Sequence, residues 1–153
     1  KTFLKLSPPL RTETDRNALV QGLNDETIDV IVSDHKPEDE ENKRLTFAQA
    51  ETGASGIETL LPLSLELYHN GSVELETIIK ALTSKPAEIL KINKGNLSIG
   101  NAADFCIVDI NKPWVVRKEK LISKSKNTPI EDKKLQGKVI STFVNGEELF
   151  KSE

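Results

Sequence analysis

Three observations in the sequence predict an α/β fold followed by a small β segment. Residues 1–34 read as strand, helix, strand, and helical periodicity then continues to about Ile92. After Gly100 the pattern turns to β-branched runs, with Asn145-Gly146 as the strongest two-residue hairpin signal in the chain. The change of character at 93–100 divides the chain into an α/β part, residues 1–95, and a β part, residues 96–153.

Each element has a local cause. Lys1–Leu6 reads as a short strand, stopped by the rigid Ser7-Pro8-Pro9-Leu10-Arg11. Thr12 is placed to cap a helix, with Asp15 as its capping-box partner. That helix carries Ala18, Leu19 and Leu23 on one face and stops near Asn24-Asp25. The β-branched run Thr27–Ser33 reads as a buried strand, and a strand–helix–strand crossover joins parallel strands. Residues 35–52 form a long charged loop, whose acidic Glu38–Glu41 reads as solvated surface or, more sharply, as a lid. Gly53-Ala54-Ser55-Gly56 leads into a helix from Ile57 to about His69, stopped at Asn70-Gly71. Ser72 is expected to cap the next helix, with Leu75, Ile78, Ile79 and Leu82 at core spacing. Ser84-Lys85-Pro86 starts a further short helix. Strands are expected at 104–109, 114–116 and 138–144, with Cys106 in the core.

Composition removes several function classes. A net charge of −3 argues against a nucleic-acid partner, which needs a basic face. No stretch approaches the ~18 apolar residues of a membrane span. The single cysteine excludes an internal disulfide framework and fits a reducing, cytoplasmic setting. The start at Lys1-Thr2-Phe3 looks like the inside of a longer protein.

Asp34 is the leading candidate for chemistry. It stands where the 27–33 run ends and the polar loop begins, and barrel enzymes carry their chemistry at strand ends. A carboxylate there can ligate a metal or move a proton; its plain alternative is a residue closing a turn. The chain has two histidines and no His-x-His pair, so the rest of a metal site would lie elsewhere. Ser33-Asp34-His35 is not a hydrolase triad, because strand neighbours point to opposite faces. His35 reads as a hydrogen-bonding residue and His69 as a helix-end residue. The Gly53–Gly56 turn reads as a flexible link, or as backbone groups that meet a small polar ligand. Arg11 reads as a pin for its loop.

Several motifs in order carry a family resemblance. Lys5-Leu6-Ser7-Pro8-Pro9-Leu10-Arg11, Gly22, and Thr27 through His35 resemble the last two barrel strands of the long-chain bacterial dihydroorotases. Gly53-Ala54-Ser55-Gly56-Ile57-Glu58-Thr59, Lys85-Pro86-Ala87, Gly100 through Phe105 and Ser125-Lys126-Asn127-Thr128-Pro129 follow in that family's order. The resemblance implies the C-terminal end of a (β/α)8 TIM barrel plus part of a small β-sandwich. It implies a cyclic amidohydrolase interconverting N-carbamoyl-L-aspartate and L-dihydroorotate in pyrimidine synthesis, with one or two zinc ions. Asp34 matches the family's ligand and proton shuttle, and Ser7, Glu38 and Gly53 match positions at the substrate. The remaining ligands would come from the preceding part of the same protein, and the assembly would be homo-oligomeric.

Two positions depart from the pattern. Ser7 replaces an asparagine, and Glu38 replaces a histidine that helps hold the substrate carboxylate. A glutamate there would repel that carboxylate unless a cation such as Lys36, Lys43 or Arg44 pairs with it; of these, Glu38 is expected to turn outward into solvent. Both departures also resemble non-catalytic members that act as structural partners of aspartate transcarbamoylase. A complete small α/β binding domain is the remaining reading, weakened because a lone strand–helix–strand cannot close a sheet.

Overall fold

The computed structural model describes residues 1–152. Five helices precede a three-stranded antiparallel sheet. The helices are α1 (Glu13–Asn24), α2 (Glu40–Lys43), α3 (Leu60–His69), α4 (Leu75–Leu82) and α5 (Ser84–Ile89). The strands are β1 (Phe105–Val115), β2 (Lys134–Val144) and β3 (Glu147–Lys151), in the order β1-β2-β3.

Helix α1 starts as its sequence dictates. The Thr12 hydroxyl accepts from the Asp15 amide at 3.3 Å, and the Asp15 carboxylate accepts from the Thr12 amide at 3.0 Å. Its apolar stripe is only half used: Leu23 is buried and Leu19 is 58% exposed. Helix α3 stops at Asn70-Gly71 as expected, with Gly71 at a φ of 73°. Ser72 does not cap α4. The helix begins later, at Leu75, while the Ser72 amide donates to the Asn70 side chain. Within α4, Ile78 is sealed and Ile79 is 40% exposed.

Two expected strands do not form ladders. Thr2–Leu4 is a single 3₁₀ turn, and residues 28–33 carry no strand pairing. A strand needs a neighbour to take its backbone groups, and none of the described residues supplies one there. Along 28–33 the Ile28 amide donates to the Gly22 carbonyl and the Ile31 amide to the Ala81 carbonyl. The run is not buried either, since Val32 is 71% exposed. With Leu19, Leu23 and Leu60 it forms an apolar trough on one side of the molecule.

The β part has one sheet. The expected runs at 104–109 and 114–116 are one strand, β1, with an irregularity between Asp109 and Pro113 where proline lacks a donor. Asn145 and Gly146 both take positive φ, 52° and 83°, the geometry of a tight hairpin between β2 and β3. Cys106 is exposed rather than core, because it lies at the start of β1, where Phe105, Cys106 and Ile107 are all exposed and burial begins only at Val108.

The core lies between α3, α4 and β2, around Leu65, Ile78, Val116 and Leu135. Lys133 pairs with Glu66 at 2.7 Å, and the Glu58 carboxylate accepts from the Ile122 and Ser123 amides. The α/β and β parts are therefore tied through α3. Two of the largest fully buried side chains, Lys43 and Asn127, are polar, and both lie at the turn described next.

Candidate functional site

The turn at 53–56 is held from all sides. Gly53 has a φ of 128°, and a β-carbon there would stand 2.5 Å from the Lys36 carbonyl oxygen. At Gly56 a β-carbon would meet the Ser33 carbonyl oxygen at 2.8 Å. Both glycines are needed so that the turn can lie against the end of the 28–33 segment. The Gly53 amide donates to the Lys5 carbonyl at 3.1 Å, and the Lys36 amide donates to the Ala54 carbonyl at 3.0 Å. His35 Nδ1 accepts from the Gly56 and Ile57 amides at 3.0 and 3.2 Å, so its ring proton sits on Nε2. His35 is thus a hydrogen-bonding residue, as its sequence context suggests.

Two buried side chains complete the clamp. Lys43, fully buried, donates from Nζ to the carbonyls of Lys5, Glu51 and Gly53 at 3.0, 2.8 and 3.0 Å. Burial holds its pKa below the usual lysine value of 10.5. Asn127, reaching in from the β part, donates to the Gly53 carbonyl at 3.1 Å and accepts from the Glu38 amide at 2.8 Å. Its own carbonyl accepts from the Ser55 amide at 2.9 Å. The turn is therefore a rigid link, and its amides at Gly53, Ser55, Gly56 and Ile57 are spent within the chain.

Beside this turn lies a cavity of about 230 Å³. Ser7, Asp34, Gly53 and Ser55 line it, with Leu6, Thr59 and Thr128 among its other walls. Three of the four residues singled out from the sequence, Ser7, Asp34 and Gly53, thus meet at one hollow. Asp34 is exposed, takes a φ of 40°, and has no hydrogen-bond or ion-pair partner among the described residues. A positive φ is uncommon but aspartate is among the residues that tolerate it. A free carboxylate on a cavity wall can accept a proton or hold a cation.

Glu38 is the fourth residue, and the structure corrects its expected placement. Its side chain is 18% exposed rather than turned into solvent, and it pairs with Lys36 Nζ at 3.3 Å. It does not line the cavity. Glu40–Lys43 fold as α2, with Glu40 paired to Arg44 at 2.6 Å and Lys43 drawn inward, while Asp39 and Glu41 stay exposed as the acidic run suggests. Arg11 is exposed and makes no ion pair among the described residues. His69 Nε2 meets the Ile110 carbonyl at 3.0 Å, fastening the end of α3 to β1.

The donor set does not make a metal site by itself. No group of three or more histidine, cysteine, aspartate or glutamate side chains converges among the described residues. Asp34 offers a single carboxylate, while Nδ1 of the adjacent His35 is occupied by backbone amides. Lys43, Asn127 and Ser55 were not marked as site residues by the sequence. Asn127 meets Gly53 across 74 residues, a separation no local pattern reports.

Comparison with known proteins fits this geometry. The model of the Amidohydrolase family matches residues 6–149. Dihydroorotase of Anaplasma phagocytophilum is 44% identical over 99% of this chain and 34% of its own length. That of Ehrlichia chaffeensis is 45% identical over the same shares. Among solved structures, L-hydantoinase (dihydropyrimidinase) from Arthrobacter aurescens superposes with a TM-score of 0.92 at 29% identity, over 98% of this chain and 35% of that one. A D-hydantoinase superposes at 0.88 with 20% identity, which speaks to the fold alone. The chain spans about a third of the length of the curated relatives it matches. With a matching family model over nearly its whole length, and the glycine turn and the Asp34 carboxylate gathered at one cavity, the chain belongs to the amidohydrolase family.

Proposed function

We propose that the full-length protein is a cyclic amidohydrolase of the dihydroorotase type, interconverting N-carbamoyl-L-aspartate and L-dihydroorotate in the cytoplasm, and that this chain is the closing part of its barrel with the small β segment. The observation that carries the reading is the convergence of Ser7, Asp34 and the Gly53 turn on one cavity, in a chain similar to named dihydroorotases. The apolar trough at 28–33 would meet the preceding barrel elements, which explains why a β-branched segment stands without ladder partners. Asp34 would supply one ligand of a zinc site whose other ligands lie outside this chain. Its carboxylate would take a proton from the attacking water and return it to the leaving amide nitrogen.

The non-catalytic reading, a structural partner of aspartate transcarbamoylase, rests on Ser7 and Glu38. Its electrostatic half is weakened by the Lys36 ion pair, which neutralises Glu38 away from the cavity. Ring opening of dihydroorotate by the purified full-length protein, measured chromatographically, separates the two. Turnover supports the enzyme, and its absence with metal ligands intact supports the partner. The isolated chain should neither hydrolyse dihydroorotate nor retain stoichiometric zinc after dialysis against a weak chelator, since a catalytic zinc needs three protein ligands. No helix among the described residues is long and apolar enough to cross a membrane.

A further inference from the structure

Ser55 is the one turn residue whose side chain is left over. It is 5% exposed and, of the cavities in the structure, borders the one shared with Asp34 and Ser7. Its amide is bound to Asn127, yet its hydroxyl has no hydrogen-bond partner among the described residues. Of the other hydroxyls on this wall, Thr59 and Thr128 are engaged, while Ser7 and Ser33 have no partner among the described residues but are less buried than Ser55. Thr59 donates to the Gly56 carbonyl at 3.2 Å, Ser64 to the Leu60 carbonyl at 2.8 Å, and Thr128 accepts from the Ile130 amide at 3.4 Å. Among the described residues no side-chain oxygen is both sealed from solvent and unpaired, so the Ser55 oxygen keeps some access, and Ser55 borders the cavity.

A hydroxyl this enclosed, with the cavity as its remaining access, is placed to bond to a molecule held there. The backbone around it cannot swing it elsewhere: Gly53 is held by Lys43 and Asn127, Ala54 by Lys36, and Gly56 by His35. We propose that the Ser55 hydroxyl is a substrate-binding group that pairs with a ring carbonyl or ring N–H of the cyclic amide. The inference rests on the cyclic-amidohydrolase reading above. A hydroxyl is both donor and acceptor and carries no charge, which suits the neutral amide edge of such a ring rather than a carboxylate. Fixed in a rigid turn, it binds substrate and transition state alike, and so acts on the Michaelis constant.

The test is Ser55→Ala in the full-length protein, read by Michaelis parameters, by calorimetric affinity for dihydroorotate and by thermal midpoint. The expected result is a rise in KM and in Kd of about tenfold, as for one lost hydrogen bond, with kcat within twofold and the midpoint unchanged. Unchanged KM and Kd overturn the inference, and so does a lowered midpoint with unchanged KM, which would mark the hydroxyl as a structural bond to the rest of the protein. If the wild type binds dihydroorotate without turning it over and Ser55→Ala binds it more weakly, the enzymatic reading fails while the binding role stands. If the wild type turns it over and the variant matches it, the reverse holds. A wild type that neither binds nor reacts overturns both.

Discussion

Replacing Lys43 by methionine tests whether the turn behind the cavity is held by a buried cation. Hydrogen bonds from a charged donor contribute roughly 1.5–3 kcal/mol each, so three would sum to about 4.5–9 kcal/mol. Two facts lower that figure. The Lys5 carbonyl keeps the Gly53 amide and the Gly53 carbonyl keeps Asn127, so only Glu51 loses its sole partner. Burying the ammonium also costs several kcal/mol, the same effect that lowers its pKa. The net loss is about 2–4 kcal/mol, with the methionine stem filling the lysine's space. Amide exchange at Gly53 in the full-length protein reads this locally, and it should accelerate about 30- to 1000-fold. The pH dependence has a defined sign. The folded state holds this proton less tightly than the unfolded chain does, so wild-type stability relative to the variant rises with pH between the lowered folded pKa and about 10.5. Exchange within threefold of wild type, or a gap that narrows with rising pH, would refute the reasoning.

Asn127→Ala should orphan the Glu38 amide and loosen segment 36–40 by about 2–4 kcal/mol, seen as faster exchange there and a lower urea midpoint. Protection unchanged in that segment would show that the clamp from the β part is not needed. Glu38→His in the full-length protein should leave KM for dihydroorotate within about threefold, because Glu38 is paired with Lys36 and does not line the cavity. A large fall in KM would place its carboxylate at the substrate after all.

What the sequence made legible was local. The Thr12–Asp15 box, the Asn70-Gly71 stop and the Asn145-Gly146 hairpin each rest on a few neighbouring residues, and each appears as read. The 28–33 run was read from composition alone, but a ladder belongs to two strands and its partner is not among the described residues. Cys106 was assigned to a core on similar grounds and is exposed, because an apolar neighbourhood in sequence does not say which end of a strand is covered. At the site, Asp34, Ser7 and Gly53 were legible because motifs announced them. Lys43 was not, since a lysine in a charged run looks like surface, and Asn127 stood in a quoted motif with no role attached until its contacts with Gly53 and Glu38 gave it one. Glu38 failed by the same rule: four acidic residues in succession suggest solvent, and Lys36 and Asn127 hold the first of them inward.

The central claim is that this chain brings one working carboxylate, Asp34, to a cyclic-amide site. The most direct measurement is kcat/KM for dihydroorotate in the full-length protein and in its Asp34→Ala variant, with circular dichroism to confirm that both are folded. The account predicts a loss of at least about 10²-fold, the low end for general acid–base catalysis. A folded Asp34→Ala protein with near wild-type turnover would contradict it and leave Asp34 as a residue that closes a turn.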